Sequence, residues 1–425
     1  MVSEAAVKER SSSRSWLRLI LLLCLLSIGL KVLYATLVLQ QASSADEGDY
    51  LALARNLQHD GTLGTTLRGV GYPAFLALLM SISPGRPLLA IRLGQAVLLG
   101  LLPLFVWRTA EPLFGRSAAG AAAILAAFYP PFLFYSGKFL SESFLTFLLA
   151  WALMLCVAFP QQVRASAAVA AGAVLAVATL TRAEFLPLPF LLAAALALCW
   201  RGLRLTLRRT GPLFLAFFIV LGLGLARNYA EFRRFYLATD FGQTLWLSTY
   251  PEDWQEWREH ETMKRTQVLS PWERDRALAV AGLRNLRDYP GTYLLMSAKR
   301  FFRFWIGSHS NMVAGLERSF TQTWRDGHYL RLLIKGMLLG INLFLLALAG
   351  VGLVAGRGAW RTWLILAVPF AYTALVHTFL FSTSRYQIPI MPQVLMFSAL
   401  GMVTCYRYVR RAPAVLPRDR SKAVP

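Results

Sequence analysis

The chain has 425 residues, 56% of them hydrophobic and only 16% charged, with a mean hydropathy of +0.48. That balance excludes a soluble globule and describes a polytopic membrane protein. The net charge of +22 does not indicate a nucleic-acid partner: the basic residues fall in short clusters beside apolar runs, where cytoplasmic loops put them, and form no continuous basic face. Cys24, Cys156, Cys199 and Cys405 lie in or at the ends of apolar runs, without metal or redox spacing, and read as core thiols.

The first apolar segment runs from Trp16 to Leu39. A basic flank before it and the small residues Ala42 to Ala45 after it suit a cleaved signal peptide, but it is long enough to cross a hydrocarbon core of about 30 Å and is read as an uncleaved span. Next comes Ala-Asp-Glu-Gly-Asp-Tyr, residues 45–50. Ser44-x-x-Glu47 is a capping box, and Tyr50, Leu53, Ala54 and Leu57 form the apolar stripe of a helix. Capping explains Glu47; it leaves Asp46 and Asp49 unexplained beside a membrane, although acids at a helix start are also favoured by the dipole. Arg68 then opens Arg-Gly-Val-Gly-Tyr-Pro, residues 68–73. The apolar run Pro73 to Ser83 is too short to cross, and counting it as a span would reverse every later loop. It is expected to be an interfacial or re-entrant helix begun by Pro73.

Nine further runs have spanning length: Leu88 to Val106, Ser117 to Phe134, Phe139 to Phe159, Ala165 to Leu180, Phe185 to Trp200, Pro212 to Ala226, Leu330 to Ala355, Trp363 to Phe381 and Ile388 to Tyr406. About ten spans with a cytoplasmic N-terminus place Arg108, Arg116, Arg164, the run Arg201 to Arg209, Arg357, Arg361, Arg407, Arg410 and Arg411 inside, as the positive-inside rule requires. Facing outward are the acidic segment after span one, 138–142, 181–184, 227–329 and 382–387. In the long outward segment, Ser270-Pro271-Trp272-Glu273 is a capping box with Pro at the first helical position, opening a helix that stops before Pro290. Tyr293 to Trp305 mixes aromatics with Lys299, Arg300 and Arg303 as an interfacial helix does. Pro251 to Glu261, acidic and Trp-rich, reads as a solvated face or lid. The sequence has no phosphate-binding glycine loop, HExxH or Gly-x-Ser-x-Gly, and its five histidines lack ligand spacing.

The order of motifs is what carries a family. An acidic pair after span one, basic-x-x-Gly-Tyr-Pro, Tyr129 to Phe147, Leu180 to Pro189, Arg227 to Phe235 and Ser384 to Pro392 together resemble the bacterial membrane glycosyltransferases related to protein O-mannosyltransferases and the lipid A aminoarabinose transferase. The resemblance covers nearly the whole chain, although no single element is specific. It implies an all-α, polytopic GT-C-type helical bundle with periplasmic juxtamembrane helices. It further implies a polyprenyl-phosphate-linked sugar as donor and the bacterial inner membrane as location. It assigns Asp46 as the first-loop acidic residue treated as catalytic, Glu47 as its acidic neighbour, Tyr50 as the following aromatic, Arg68 as the basic residue before Gly-Tyr-Pro and Glu142 as the acid of the Ser-Glu element. Tyr72, Arg182 and Tyr386 fall within the same motifs and are taken as substrate-binding. This chain has Gly69 and Val70 where relatives often carry Pro-Pro, and Ala183 where they often carry Pro.

The chemistry fits independently. Transfer from a phosphate-linked sugar needs a carboxylate to orient or deprotonate the acceptor and cations to hold the leaving phosphate. Asp46 can serve as the base, and Arg68, Lys138, Arg227 and Arg385 lie at outer membrane edges where phosphate could be bound. Snorkelling to lipid headgroups is the plainer reading of each cation alone. The expected organisation is a transmembrane module 1–226 with a catalytic first outer loop 40–87, a periplasmic segment 227–329, and C-terminal spans with a basic tail 330–425. The expected activity is transfer of a hexosyl or pentosyl group, with inversion, to a glycolipid, polysaccharide or protein. Divalent-metal dependence is left open. A surface-polysaccharide polymerase or ligase and a transporter of lipid-linked sugars are the alternatives. A transporter would show internal repeats and mid-membrane charges; Lys31 and His377 lie within spans, but no repeat is seen.

Overall fold

The computed structural model describes residues 4–37, 44–159, 163–200, 202–250, 260–307, 309–310, 313, 316 and 318–411, and its regular structure is entirely helical. Most of the acidic, Trp-rich stretch expected to form a solvated face or lid lies outside the described residues. Helix α1 (Glu4–Leu37) is followed by two short helices, α2 (Ala45–His59) and α3 (Gly71–Ile82). Then come α4 (Pro87–Gly100), α5 (Leu102–Phe114), α6 (Arg116–Phe128), α7 (Pro130–Ser136), α8 (Ser141–Val157), α9 (Ala165–Thr181), α10 (Leu188–Trp200) and α11 (Leu203–Phe232). The segment expected outside the bilayer holds α12 (Phe241–Thr249), α13 (Glu261–Thr266), α14 (Pro271–Asp288), α15 (Pro290–Trp305) and α16 (Phe320–Arg325). The chain closes with α17 (Tyr329–Gly356), α18 (Trp360–Phe379) and α19 (Met391–Arg411).

The exterior is apolar. Leu25 and Leu26 on α1, Leu215 and Leu223 on α11, and Leu330 and Phe344 on α17 are exposed, an arrangement stable only against lipid. Among the described residues six helical stretches are long and apolar enough to cross a membrane, and α6 with α7 makes a seventh, bent by 44°. Each of the ten expected spans is helical, but α8, α9 and the apolar part of α18 fall below that length. The chain is therefore a multi-pass membrane protein, with the count of about ten resting on these three shorter helices. The twelve-residue α3 cannot cross, and packs between α2 and α4.

The bend has a sequence cause. Pro130 and Pro131 have no N–H, so the carbonyls of Ala126 and Ala127 lose their helical donors, and Tyr129 before them is extended at ψ 115°. Side chains from α1 take over the freed Ala127 carbonyl, which accepts from Ser27 Oγ (3.3 Å) and Lys31 Nζ (3.2 Å). Close helix crossings rest on glycine: a Cβ at Gly172 would lie 2.0 Å from the Leu213 carbonyl, and one at Gly352 2.0 Å from that of Phe397. These contacts fix α9 on α11 and α17 on α19, and so the ends of α9 and α19 that carry charged groups of the site.

Candidate active site

The site is assembled from four separate turns. Ser44 caps α2: its Oγ accepts from Glu47 N (3.3 Å) and Glu47 Oε2 accepts from Ser44 N (3.2 Å). This fixes Asp46 on the first turn of the helix. Arg68 arrives on the loop before α3, which lies directly on the end of α9: a Cβ at Gly69 would sit 2.2 Å from the Leu180 carbonyl, and one at Gly71 2.4 Å from Thr181 Oγ1. The absence of a Cβ at these two positions thus allows close approach of loop to helix. The same loop is tied to the start of the next segment, since Thr239 N donates to the Thr66 carbonyl (2.8 Å) and the two threonine hydroxyls are 2.6 Å apart.

Asp46 is clasped by two guanidinium groups. Arg68 Nη2 pairs with its Oδ1 and Arg385 Nη2 with its Oδ2 (2.6 Å). Arg385 continues to Glu142 Oε1 (3.4 Å), where Arg182 also approaches (3.8 Å), and Arg182 reaches Glu184 Oε1 (3.4 Å). Arg68 has Asp49 at 3.6 Å besides. Burial pushes the Asp46 carboxyl up, but the two arginines outweigh it and hold it below the usual carboxylate range. The aromatic wall is Tyr386, with Arg182 4.3 Å and Arg385 5.1 Å from its ring centre, and Tyr50, with Arg68 at 5.2 Å. Burial raises the Tyr50 phenol above its ordinary value, so this hydroxyl stays protonated and donates to Ser141 Oγ (3.4 Å).

Of the residues singled out in the sequence, Asp46, Tyr50, Arg68, Glu142, Arg182, Arg385 and Tyr386 therefore meet in one network. Glu47 does not join it: it is buried, caps α2 and accepts from Phe139 N (3.0 Å). Tyr72 is buried behind Tyr50, edge-to-face at 4.9 Å, and donates to Gln95 (3.0 Å). Lys138 is buried, its carbonyl accepting from Gln95 Nε2 (2.8 Å). Arg227 pairs with Glu231, whose carboxylate accepts from the backbone of Leu63 and Gly64; it fastens the loop that carries Arg68 and stands apart from the Asp46 network. Three participants went unrecognised. Glu184 anchors Arg182, and His377 Nε2 lies 3.6 Å from Glu184 while its ring stacks on Tyr386 at 4.6 Å. Asp240, just before α12, acts electrostatically on Arg182 and Arg68. No spacing marks His377 or Asp240, whereas Glu184 stands two residues after Arg182 in the sequence, close enough to suggest the pair.

These carboxylates make a poor cation site. Asp46 and Glu142 each have two arginines on them, and among the described residues no three His, Cys, Asp or Glu side chains gather as metal ligands.

Residues 68–225 match the dolichyl-phosphate-mannose-protein mannosyltransferase family. The structure superposes on the archaeal oligosaccharyltransferase AglB from Archaeoglobus fulgidus, solved with an inhibitory peptide and a dolichol-phosphate, over 95% of this chain and 52% of that one, at TM-score 0.52 and 13% identity. It superposes on the apo form of the Archaeoglobus fulgidus oligosaccharyltransferase over 93% and 52%, at TM-score 0.54 and 14% identity. This is a GT-C fold. The GT-C bundle spans about half the length of those archaeal structures. ArnT from Cupriavidus metallidurans, bound to undecaprenyl phosphate, aligns over 93% of this chain and 78% of that one, with TM-score 0.37 and 14% identity. Among curated proteins no sequence matches significantly.

Proposed function

We propose that this protein transfers a sugar from a polyprenyl-phosphate carrier to a hydroxyl acceptor, with its active site at the periplasmic face of the bacterial inner membrane. The observation that carries this reading is Asp46 held between Arg68 and Arg385 at one end of a GT-C bundle. Guanidinium forks are matched to phosphate oxygens, and a carboxylate beside them serves the acceptor.

The charge balance orders the steps. Arg68, Arg182 and Arg385 are paired with Asp46, Glu142 and Glu184, so a donor phosphate competes with Asp46 for its two arginines. As the phosphate takes them, the field that lowers the Asp46 pKa weakens and the carboxylate becomes more basic when substrate is in place. The acceptor O–H then hydrogen-bonds to Asp46, its oxygen attacks the anomeric carbon from the face opposite the phosphate, and the carbon–oxygen bond to phosphate breaks. The proton passes to Asp46; the polyprenyl phosphate leaves with its added charge on Arg68 and Arg385, and the anomeric centre inverts. Glu142 holds Arg182 and Arg385 in register. The donor sugar, hexosyl or pentosyl, and the acceptor, a glycolipid, polysaccharide or protein, are set by residues outside this network.

The test is reconstitution of the purified protein in lipid with a panel of polyprenyl-phosphate sugars and an envelope extract as acceptor. Mass spectrometry should show one sugar-lipid converted to bare polyprenyl phosphate, with the sugar appearing on the acceptor. Movement of intact sugar-lipid across the bilayer without conversion would replace the transferase by a transporter.

A further inference from the structure

Behind Arg385 lies a second group of polar side chains that the transfer step does not use. Tyr135 and Gln387 are completely enclosed and His309 is 1% exposed. The His309 Nε2 and Gln387 Oε1 atoms are 3.1 Å apart, and the Tyr135 ring stands edge-to-face to the imidazole at 6.2 Å. Yet His309 Nδ1, Gln387 Nε2 and Tyr135 Oη have no hydrogen-bond partner among the described residues. Buried polar atoms in folded proteins are nearly always satisfied, and three orphans on neighbouring side chains call for a ligand or water. The local backbone points the same way. His309 has φ +52°, a left-handed conformation that a non-glycine residue adopts at a cost and that clusters at functional sites. Its loop is pressed onto the segment that carries Arg385 and Gln387: a Cβ at Gly307 would lie 2.4 Å from that of Ser384. Asn342 Nδ2 ties the loop down through the Trp305 and Gly307 carbonyls, both at 3.0 Å.

The chemistry of the missing partner follows from the atoms. If His309 Nε2–H donates to Gln387 Oε1, an acceptor remains at Nδ1 and two N–H donors remain on the amide. If the amide is turned over, one N–H donates to Nε2, leaving a donor at Nδ1 and a donor and an acceptor on the amide. Either way the pair offers two N–H donors and one acceptor, and Tyr135 Oη can be both. That combination matches hydroxyl groups, which both give and take. Burial holds the His309 ring far below its ordinary value, at about 4, so it is neutral at pH 7 and brings no charge. Gln387 lies two residues beyond Arg385 in the same helical turn, which sets the group beside the phosphate position of the proposed reaction.

We propose that Tyr135, His309 and Gln387 form the subsite for the hydroxyls of the donor sugar, and that they select an uncharged sugar over an amino or acidic one. The inference rests on the transferase reading above. A site built to hydrogen-bond a hydroxyl discriminates strongly, because a substrate lacking it leaves the buried atoms unpaired again.

The test compares lipid binding by purified protein in nanodiscs. The probes are bare polyprenyl phosphate and the same lipid carrying mannose, glucose, galactose, glucosamine or glucuronic acid. The wild-type protein should bind one of the neutral sugar-lipids at least tenfold tighter than bare lipid phosphate. Tyr135→Phe and Gln387→Met should each lower that preference by roughly tenfold while leaving bare-lipid affinity and thermal stability unchanged or improved, since each removes an orphaned polar atom. Retention of the wild-type preference in both variants overturns the subsite, as does equal weakening of all lipids together with a lower melting temperature, which marks a structural role. A wild-type preference for glucosaminyl or glucuronyl lipid also overturns it. If bare lipid phosphate binds but no sugar adds affinity, the subsite fails and the transferase reading stands; if neither bare nor glycosylated lipid binds, both fail.

Discussion

Two helices in this protein open with the same device and put it to different use. In α14, Ser270 Oγ accepts from Glu273 N (3.4 Å) and Glu273 Oε2 from Ser270 N (3.2 Å); in α2, Ser44 and Glu47 repeat the pattern at 3.3 and 3.2 Å. Glu273 is exposed, and its carboxyl is lowered by its hydrogen bonds with Ser270. Glu47 is buried and holds Phe139 N as well. The larger difference is the residue before each glutamate. In α14 it is Trp272, exposed beside Arg234; in α2 it is Asp46, between Arg68 and Arg385. A capping box starts a helix, and what the helix start does is decided by groups brought to it from distant parts of the chain.

The comparison breaks most directly at Asp46. Asp46→Asn keeps the size and much of the hydrogen bonding but removes the proton acceptor, so sugar transfer should fall by ~10²-fold or more with lipid-phosphate binding retained. Trp272→Phe at the equivalent position of α14 should leave transfer unchanged. Wild-type turnover by Asp46→Asn would reduce α2 to the status of α14. Replacing either clasping arginine by lysine keeps the charge and loses the two-point contact. Arg68→Lys and Arg385→Lys should each weaken polyprenyl-phosphate binding by about tenfold, as titration in nanodiscs would show; unchanged affinity in both would make them headgroup contacts.

The glutamates sharpen the contrast on the scale of stability. Glu47→Gln leaves one carbonyl oxygen to serve Ser44 and Phe139, and should cost about 1–2 kcal/mol. Glu273→Gln retains an adequate cap and should cost no more than about 0.5 kcal/mol. Thermal unfolding in one detergent measures both, and equal shifts would erase the difference in burial as a cause. The smallest effect is on pH dependence. Because its folded pKa is lowered, Asp46 contributes stability that is present above the usual carboxylate pKa of about 4 and lost as pH falls through the lowered value. The melting-temperature gap between wild type and Asp46→Asn should therefore be widest near neutrality and close in acid.

The bundle was readable because apolar length and basic loop flanks act locally: each expected span is helical, and the Ser44 and Ser270 caps stand where Ser-x-x-Glu puts them. The coincidence of Asp46, Arg68, Glu142, Arg182 and Arg385 was suggested by motif order, which does not say who pairs with whom. Arg227 shows the limit. It sits at a membrane edge like the others, yet Glu231 lies one turn along the same helix and takes it. Phe139 N on Glu47 was equally hidden, since a backbone donor left free by a turn carries no side-chain signature. The His309 and Gln387 pair depends on a loop folding back onto a segment far along the chain, and neither residue type is unusual where it stands.

Lys31 has a bearing on how the chain is made. Its ammonium is wholly enclosed, bonded to Ser27 Oγ (2.7 Å) and to the Ala127 carbonyl that Pro131 leaves free. A charge near the middle of a spanning helix raises the free energy of entering lipid by up to about 3 kcal/mol, and the partner on α6 is synthesised long after α1. During biogenesis α1 is thus a hesitant anchor until α6 arrives. Nascent chains that stop before α6 should integrate less completely than chains that include it, and Lys31→Met should abolish that dependence in a translocation assay.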